Sequence, residues 1–368
     1  MRLSCLLALL LATVPCGGVT ADGSMWNATS VGDVGYVPLE DLRSFYKLMP
    51  IAQPRESALR AVGNGALTLI FGPEPRDISI QGIRCVLSHP VRENDKGDLL
   101  VSKTDLIKLI DPILRPTYIT NRRAVKTVIL DPGHGGYDTG SVTEQVREAD
   151  VALLVAGKLA TELRKRGVQV RLTREDNRHM SDQSRIDTIS GAEAPIFISL
   201  HLNSGRSDMS GVETYTTTPA QPGTSEKPAN EHDAANAALA MALQAAVVTK
   251  AEARDGGCRR AHYSLLNSLN CPAARVELGY TTHPDEAARL NSDEYQNRLA
   301  MALADGITAF ATVMNPETTL KALPPPPPPP PEPAVVEPPK KKTEPPKKAT
   351  PRKRRAAPRR NSSRQRRR

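Results

Sequence analysis

Between residues 123 and 315, short runs of consecutive apolar and β-branched residues alternate with longer segments whose apolar residues recur every three or four positions. A run that is apolar at every position is buried on both faces. A parallel sheet covered by helices provides such a site. The strand-like runs are KTVILD, VQVRLTR, APIFISLHLN, GVETYTTT and AARVELG, with a further strand expected near 261–267. Helices are expected near 150–166, 182–191, 230–250 and 292–314. The first repeats apolar residues at Val151, Leu154, Val155, Leu159 and Leu163, then ends in Arg164-Lys165-Arg166 before Gly167, a basic last turn and a glycine stop. Ser292 with Asp293 and Glu294 is a sound start for the last. The alternation predicts an α/β unit: a mainly parallel, twisted sheet with helices on both faces.

The remainder of the chain is organised differently. Met1-Arg2, an apolar run from Leu3 to Val14 and the small-x-Ala site Val19-Thr20-Ala21 describe a signal peptide over residues 1–21. That run is too short to anchor in a bilayer, and the residues before Cys16 do not suit lipid attachment. Export to a periplasmic or extracellular location is the expectation. Residues 30–118 read as a small α+β module. A helical pattern (Leu39, Leu42, Phe45, Tyr46, Leu48) precedes the strands ALTLIFG, ISIQGIRCVL and DLLVSKTDL, with turn signals at Gly63-Asn64-Gly65 and Asn94–Gly97. Residues 324–368 form a tail that is expected to be disordered. Pro324 to Pro331 are consecutive prolines, an extended rod, and a basic segment follows. Residues 340–368 hold fifteen Lys or Arg and one acid, so the net charge of +9 conceals a body at −5. Past the signal, Cys85, Cys258 and Cys271 remain. A Cys258–Cys271 disulfide is one option, and three small buried residues is the favoured one. With no CxxC pair, a cysteine zinc site is not expected.

Four polar residues stand where strands or loops of the α/β unit end. VILDPGHGG (128–136) breaks from an apolar strand into a glycine-rich loop holding His134. Glu148 lies in READ, just before the helix expected from near Asp150, His201 ends IFISLHLN, and Glu277 ends AARVELG. Strand ends are where open α/β sheets build sites. Two histidines and a carboxylate suit a hydrolytic zinc site, and a second carboxylate outside the metal shell suits proton transfer. Taken singly each residue is ordinary: a strand-end histidine is usually structural, and Glu148 also suits a helix N-terminus. The glycines beside His134 are expected to clear space for a metal and a bulky substrate.

DPGHGGYDTG, the Glu of READVAL, FISLHLNS and VELGYTTHPDE resemble, in order and spacing, the zinc-dependent N-acetylmuramoyl-L-alanine amidases of the amidase-3 family. TREDN (173–177) and Arg185 also look like that family, and the likeness covers most of 125–314. Where family loops often continue Pro-Gly after their acidic residue, this chain has Asp138-Thr139-Gly140. The resemblance implies one Zn2+ held by His134, Glu148 and His201, with Glu277 as catalytic acid–base. It implies hydrolysis of the amide between N-acetylmuramic acid and L-alanine of peptidoglycan. The stretch from Tyr215 to the helix near 230 is short, so no inserted plug helix is expected. The module at 30–118 resembles copper amine oxidase N-terminal-like stalks by pattern alone, with no copper implied.

Other polar residues have plainer readings. Arg174 and Asp176 are expected to brace loops by a salt bridge, and Arg185 to brace or bind. Asn203 is expected to contact substrate or fix its loop. His283 is read as structural, and His232 and His262 as outside any metal site. The basic tail suits a polyanion by counterion release. Export points to cell-envelope polymers or lipid headgroups, with no specific nucleic acid expected. Two alternatives are a wall-binding protein without catalysis and another zinc hydrolase of peptidoglycan such as a carboxypeptidase.

Overall fold

The structure, a computed structural model, describes Trp26 and residues 28–53, 59–64, 67–72, 74–218 and 230–318. The expected signal (1–21), the segment 219–229 where a plug would be inserted and the tail (324–368) lie outside the described residues.

Among the described residues, an 11-stranded sheet runs through the chain. Gln169–Leu172, Thr127–Pro132, Pro195–Asn203 and Ala273–Tyr280 lie side by side and parallel. Val212–Thr217 adds antiparallel to the last of these, and Asp255–Ala261 adds parallel to Val212–Thr217. The chain is α/β, as its apolar runs predict. One face carries Val128, Leu130, Ile196, Ile198, Leu200 and Val276, which share a core with the helices Glu148–Lys165, Asp233–Lys250 and Asp293–Met314. The last two helices approach closely on small residues: a Cβ on Gly306 would lie 2.7 Å from the Ala242 carbonyl oxygen.

The other face builds the site. Ile129, Phe197 and Ala273, directly opposite one another in register, form an apolar cluster with Leu266, Leu269 and Cys271. The short helices Asp182–Asp187 and Ser264–Asn267 accompany it. Side chains alternate along a strand, so two residues further on the same face continues. There the row is Asp131, Ser199, Arg275, Tyr215 and Arg259. The next row is His201, Glu277 and Glu213. The face thus turns from apolar to polar toward the C-terminal ends of the parallel strands, where open α/β sheets place their sites.

Three readings need correction. The strand expected near 261–267 is Asp255–Ala261, and Ser264–Asn267 is helical. Gly256 and Gly257 are strand residues without room for a side chain. A Cβ on Gly256 would sit 2.5 Å from Glu213 Cγ. ISIQGIRCVL is two strands, Asp77–Ile80 and Ile83–Val86, joined by a tight turn with positive φ at Gln81 and Gly82. DLLVSKTDL is a strand only over Leu99–Ser102. There Ser102 Oγ caps a helical turn by accepting from the Asp105 amide.

The module's antiparallel strands also continue the large sheet, because Ile83–Val86 pairs with Asp255–Ala261 at Cys85 opposite Cys258. The Arg84 amide donates to Asp255 Oδ2 at 2.7 Å beside that junction. Cys85, Cys258 and Cys271 are buried free thiols, with Cys258 and Cys271 in separate apolar clusters.

Candidate metal centre

The loop after Thr127–Pro132 holds His134 at φ 60°, a left-handed conformation that a histidine adopts only when its surroundings impose it. Arginines impose it here. Arg174, fully buried, donates to the carbonyls of Pro132 (3.0 Å), Gly133 (2.7 Å) and Ala149 (2.8 Å). Arg185 donates to Pro132 (3.0 Å) and His134 (2.8 Å) and pairs with Asp131. Asp131, also fully buried, accepts in addition from the hydroxyls of Thr173 and Ser199, each at 2.7 Å. The carbonyls that a sharp loop leaves without strand partners are therefore satisfied by guanidinium groups. Arg174 braces as expected, but by carbonyls. Toward Asp176 it reaches the backbone oxygen at 3.0 Å, and the Asp176 carboxylate faces Arg178.

The loop glycines make room for protein. A Cβ on Gly133 would strike the His201 ring, and one on Gly136 would lie 2.7 Å from the His179 amide nitrogen. On Gly140, at φ +63°, it would lie 2.5 Å from Glu148 Oε2. Clearance for a metal and substrate, as read from the sequence, is replaced by clearance for the ligand-type side chains and the 174–179 loop.

His134, Glu148 and His201 converge from three elements, with one ligand-type atom of each within 4.8 Å of the others. Glu148 Oε1 lies 2.9 Å from His134 Nε2 and 2.9 Å from His201 Nδ1, and the two nitrogens are 3.2 Å apart. Backbone amides fix the carboxylate: Ser141 donates to Oε2 (2.8 Å) and Leu202 to Oε1 (3.1 Å). Burial pushes the Glu148 carboxyl up, but bonds to His134 and His201 outweigh it and hold the group well below the usual carboxylate range. Burial lowers His201. For His134 burial also acts downward, and the neighbouring Glu148 and Asp138 carboxylates reverse it to a net rise. His134 Nδ1 meets Asp138 Oδ1 at 2.8 Å, which leaves Nε2 to point into the cluster. Two imidazole nitrogens and an ionised carboxylate facing one point, the first oriented by a further carboxylate, fit the donor set of a three-ligand zinc site.

Glu277 stands opposite His201 in register, beside the cluster. Arg275 Nε donates to its Oε1 at 2.6 Å, while Oε2 is buried without a hydrogen-bond partner. A cleft of about 320 Å³ opens on this face, lined by His134, His201, His179, Tyr263 and Arg275 among others. Asp138 and Arg275 are the residues that sequence reasoning passed over. Asp138 shares a loop with His134. Arg275 is two residues before Glu277, hence on the same strand face. Asn203 fixes structure, donating to buried Glu213 at 2.9 Å. His283 caps the helix Pro284–Leu290, and His262 pairs with Asn267. His232 lines a separate cavity.

A family model described as N-acetylmuramoyl-L-alanine amidase matches residues 128–309. YqiI of Bacillus subtilis, named as an uncharacterized protein, is 30% identical over 185 residues, 50% of this chain and 84% of that one. The chain belongs to the N-acetylmuramoyl-L-alanine amidase family. Within it, LytC of B. subtilis, named as an N-acetylmuramoyl-L-alanine amidase, is 28% identical over 186 residues, 50% of this chain but 35% of LytC. This chain therefore spans about a third of that relative's length. The catalytic domain of the amidase CwlV from Bacillus (Paenibacillus) polymyxa var. colistinus is 30% identical, with 51% of this chain and 99% of that one covered at a TM-score of 0.45. The family match begins and ends within the α/β unit and contains all four residues of the site.

Proposed function

We propose that this chain is an exported zinc amidase that hydrolyses the bond between the lactyl group of N-acetylmuramic acid and the L-alanine of the stem peptide in peptidoglycan. The observation that carries the reading is the meeting of His134, Glu148 and His201 at the strand ends of an amidase-family sheet, with Glu277 opposite His201. His134 Nε2, Glu148 Oε1 and His201 Nδ1 are the atoms that would hold the metal. Zinc bound there supplies Lewis acidity, lowering the pKa of a water and polarising the scissile carbonyl. Glu277 Oε2, which has no other partner, accepts the proton of the attacking water and returns it to the departing alanine nitrogen. Asp138 holds the His134 ring in the tautomer that presents Nε2.

The apolar run and small-x-Ala site at 1–21 support export, as do the names of relatives such as the probable cell wall amidase LytH of Staphylococcus. Among the described residues, no helix is long and apolar enough to cross a membrane. The same reading assigns the α+β module at 30–118 to spacing or targeting and 123–315 to catalysis. The basic residues of 340–368 are assigned to cell-envelope polyanions.

The test joins metal analysis to product analysis on purified peptidoglycan, for the wild type and Glu277→Ala. Roughly one zinc per chain is expected in both. Intact stem peptides with a free N-terminal alanine are expected from the wild type alone. Release of a terminal D-amino acid would assign a carboxypeptidase instead. Loss of zinc from the variant would place Glu277 among the ligands, and a zinc-free wild type would end the mechanism.

A further inference from the structure

Glu277 is a buried carboxylate whose two oxygens have different surroundings. Oε1 receives Arg275 Nε at 2.6 Å, and Oε2 has no hydrogen-bond partner. The Arg275 side chain is 23% exposed and lines the cleft, while that of Glu277 is 4% exposed and lies behind it. Arg275 is itself held. Its guanidinium carbon lies 4.6 Å from the centre of the Tyr263 ring, a cation–π contact that fixes the plane of the fork. The Arg275 backbone stands opposite Ser199, whose hydroxyl is bound to Asp131. The strand alternation that puts His201 opposite Glu277 therefore puts the anchor of Glu277 one row further from the strand ends.

We propose that Arg275 is a positioning residue that ties down Glu277 Oε1 and so reserves Oε2 as the single oxygen that exchanges protons during hydrolysis. The inference rests on the reading of Glu277 as the proton-transfer group. A carboxylate held by one oxygen cannot rotate to offer either. Its free oxygen then keeps one distance to the reacting water and to the leaving nitrogen, and displacement of about 1 Å in such a group costs on the order of 100-fold in rate. Tyr263 acts one step further out, by holding the guanidinium. Arg275 need not touch the substrate in this scheme, and that separates it from a residue that binds a stem-peptide carboxylate.

The test uses the full-length zinc-loaded protein and a soluble muramoyl-peptide, with kcat and KM measured separately. Arg275→Met is expected to lower kcat by roughly 10- to 100-fold, with KM and zinc content unchanged. Arg275→Lys, which keeps the charge but loses the planar fork, is expected to fall between it and the wild type. A readout without catalysis accompanies it. Arg275→Met leaves a buried carboxylate unpaired and should lower the melting temperature, and the double variant Arg275→Met/Glu277→Gln should recover that loss. A raised KM at unchanged kcat would make Arg275 a substrate-binding residue and overturn the proposal. Unchanged kinetics, loss of zinc in Arg275→Met, or no recovery in the double variant would each overturn it as well. Glu277→Gln, assayed in parallel, separates the two levels. If it retains wild-type turnover, the assignment of Glu277 itself fails. If it is inactive while Arg275→Met turns over normally, only the positioning role fails.

Discussion

Replacing Arg185 by methionine tests how the His134 loop is held. Arg185 pairs with fully buried Asp131 and donates to the carbonyls of Pro132 and His134. The substitution leaves Asp131 with the hydroxyls of Thr173 and Ser199 as hydrogen-bond donors and Arg174 as the nearby positive charge. Removing one partner of a buried ion pair costs about 3–5 kcal/mol, because the remaining charge is left in a poorly solvating site. Against a total stability of ~5–15 kcal/mol, that is a large share. The urea midpoint should fall by about 1 M or more. Neutralising the stranded carboxylate should relieve the effect, so Asp131→Asn/Arg185→Met should be more stable than Arg185→Met alone. Release of the His134 carbonyl lets a left-handed residue relax, and zinc affinity should drop by roughly 10- to 100-fold, the range seen when support behind a metal ligand is lost. Equilibrium unfolding of Arg185→Met, Asp131→Asn and the double variant, with zinc titration against a chelating dye, measures both. A single-variant cost below about 1 kcal/mol, or a double variant whose cost is the sum of the singles, would refute the claim that a buried charge is stranded.

Asp138→Ala should weaken zinc binding by about 10- to 100-fold while leaving the fold intact, because it removes the group that orients His134 Nδ1; competition with a chelator measures this. Gly140→Ala should abolish metal binding, since the added carbon would lie 2.5 Å from Glu148 Oε2 at a residue with φ +63°; metal analysis of the purified variant checks it. Zinc retention should fall as pH is lowered. His134 is raised above its ordinary value by Glu148 and Asp138 against the opposing effect of burial, so its protonated form persists to higher pH and competes with the metal as pH falls through that raised pKa. The Glu148 carboxyl, proposed as a ligand and held well below the carboxylate range, does not limit binding there. Zinc content and activity measured together across pH should therefore decline together, and full zinc occupancy well below the ordinary histidine range would contradict the assignment.

Much of the architecture is written locally. Apolar runs such as VILD and IFISL are buried wherever they pair, and the 3.6-residue spacing of Val151, Val155, Leu159 and Leu163 admits one helix face. His134, Glu148, His201 and Glu277 were legible because each follows such a run or opens a helix, and because strand ends gather residues from distant segments. What the chain order leaves open is which strands become neighbours. Register alone places Glu277 opposite His201, and Arg275 opposite Ser199. It also makes Cys85 the partner of Cys258, so that the module extends the large sheet. The glycines show the same division. Their freedom to turn is a property of the residue, but the group that fills the space they leave belongs to another segment: the His201 ring at Gly133, Glu148 at Gly140 and Glu213 at Gly256. The spacing of DPGHGG therefore determined that a tight loop would present His134. Only tertiary packing decided that Arg174 and Arg185 would hold its carbonyls, because satisfying buried oxygens is a demand that any nearby donor can meet.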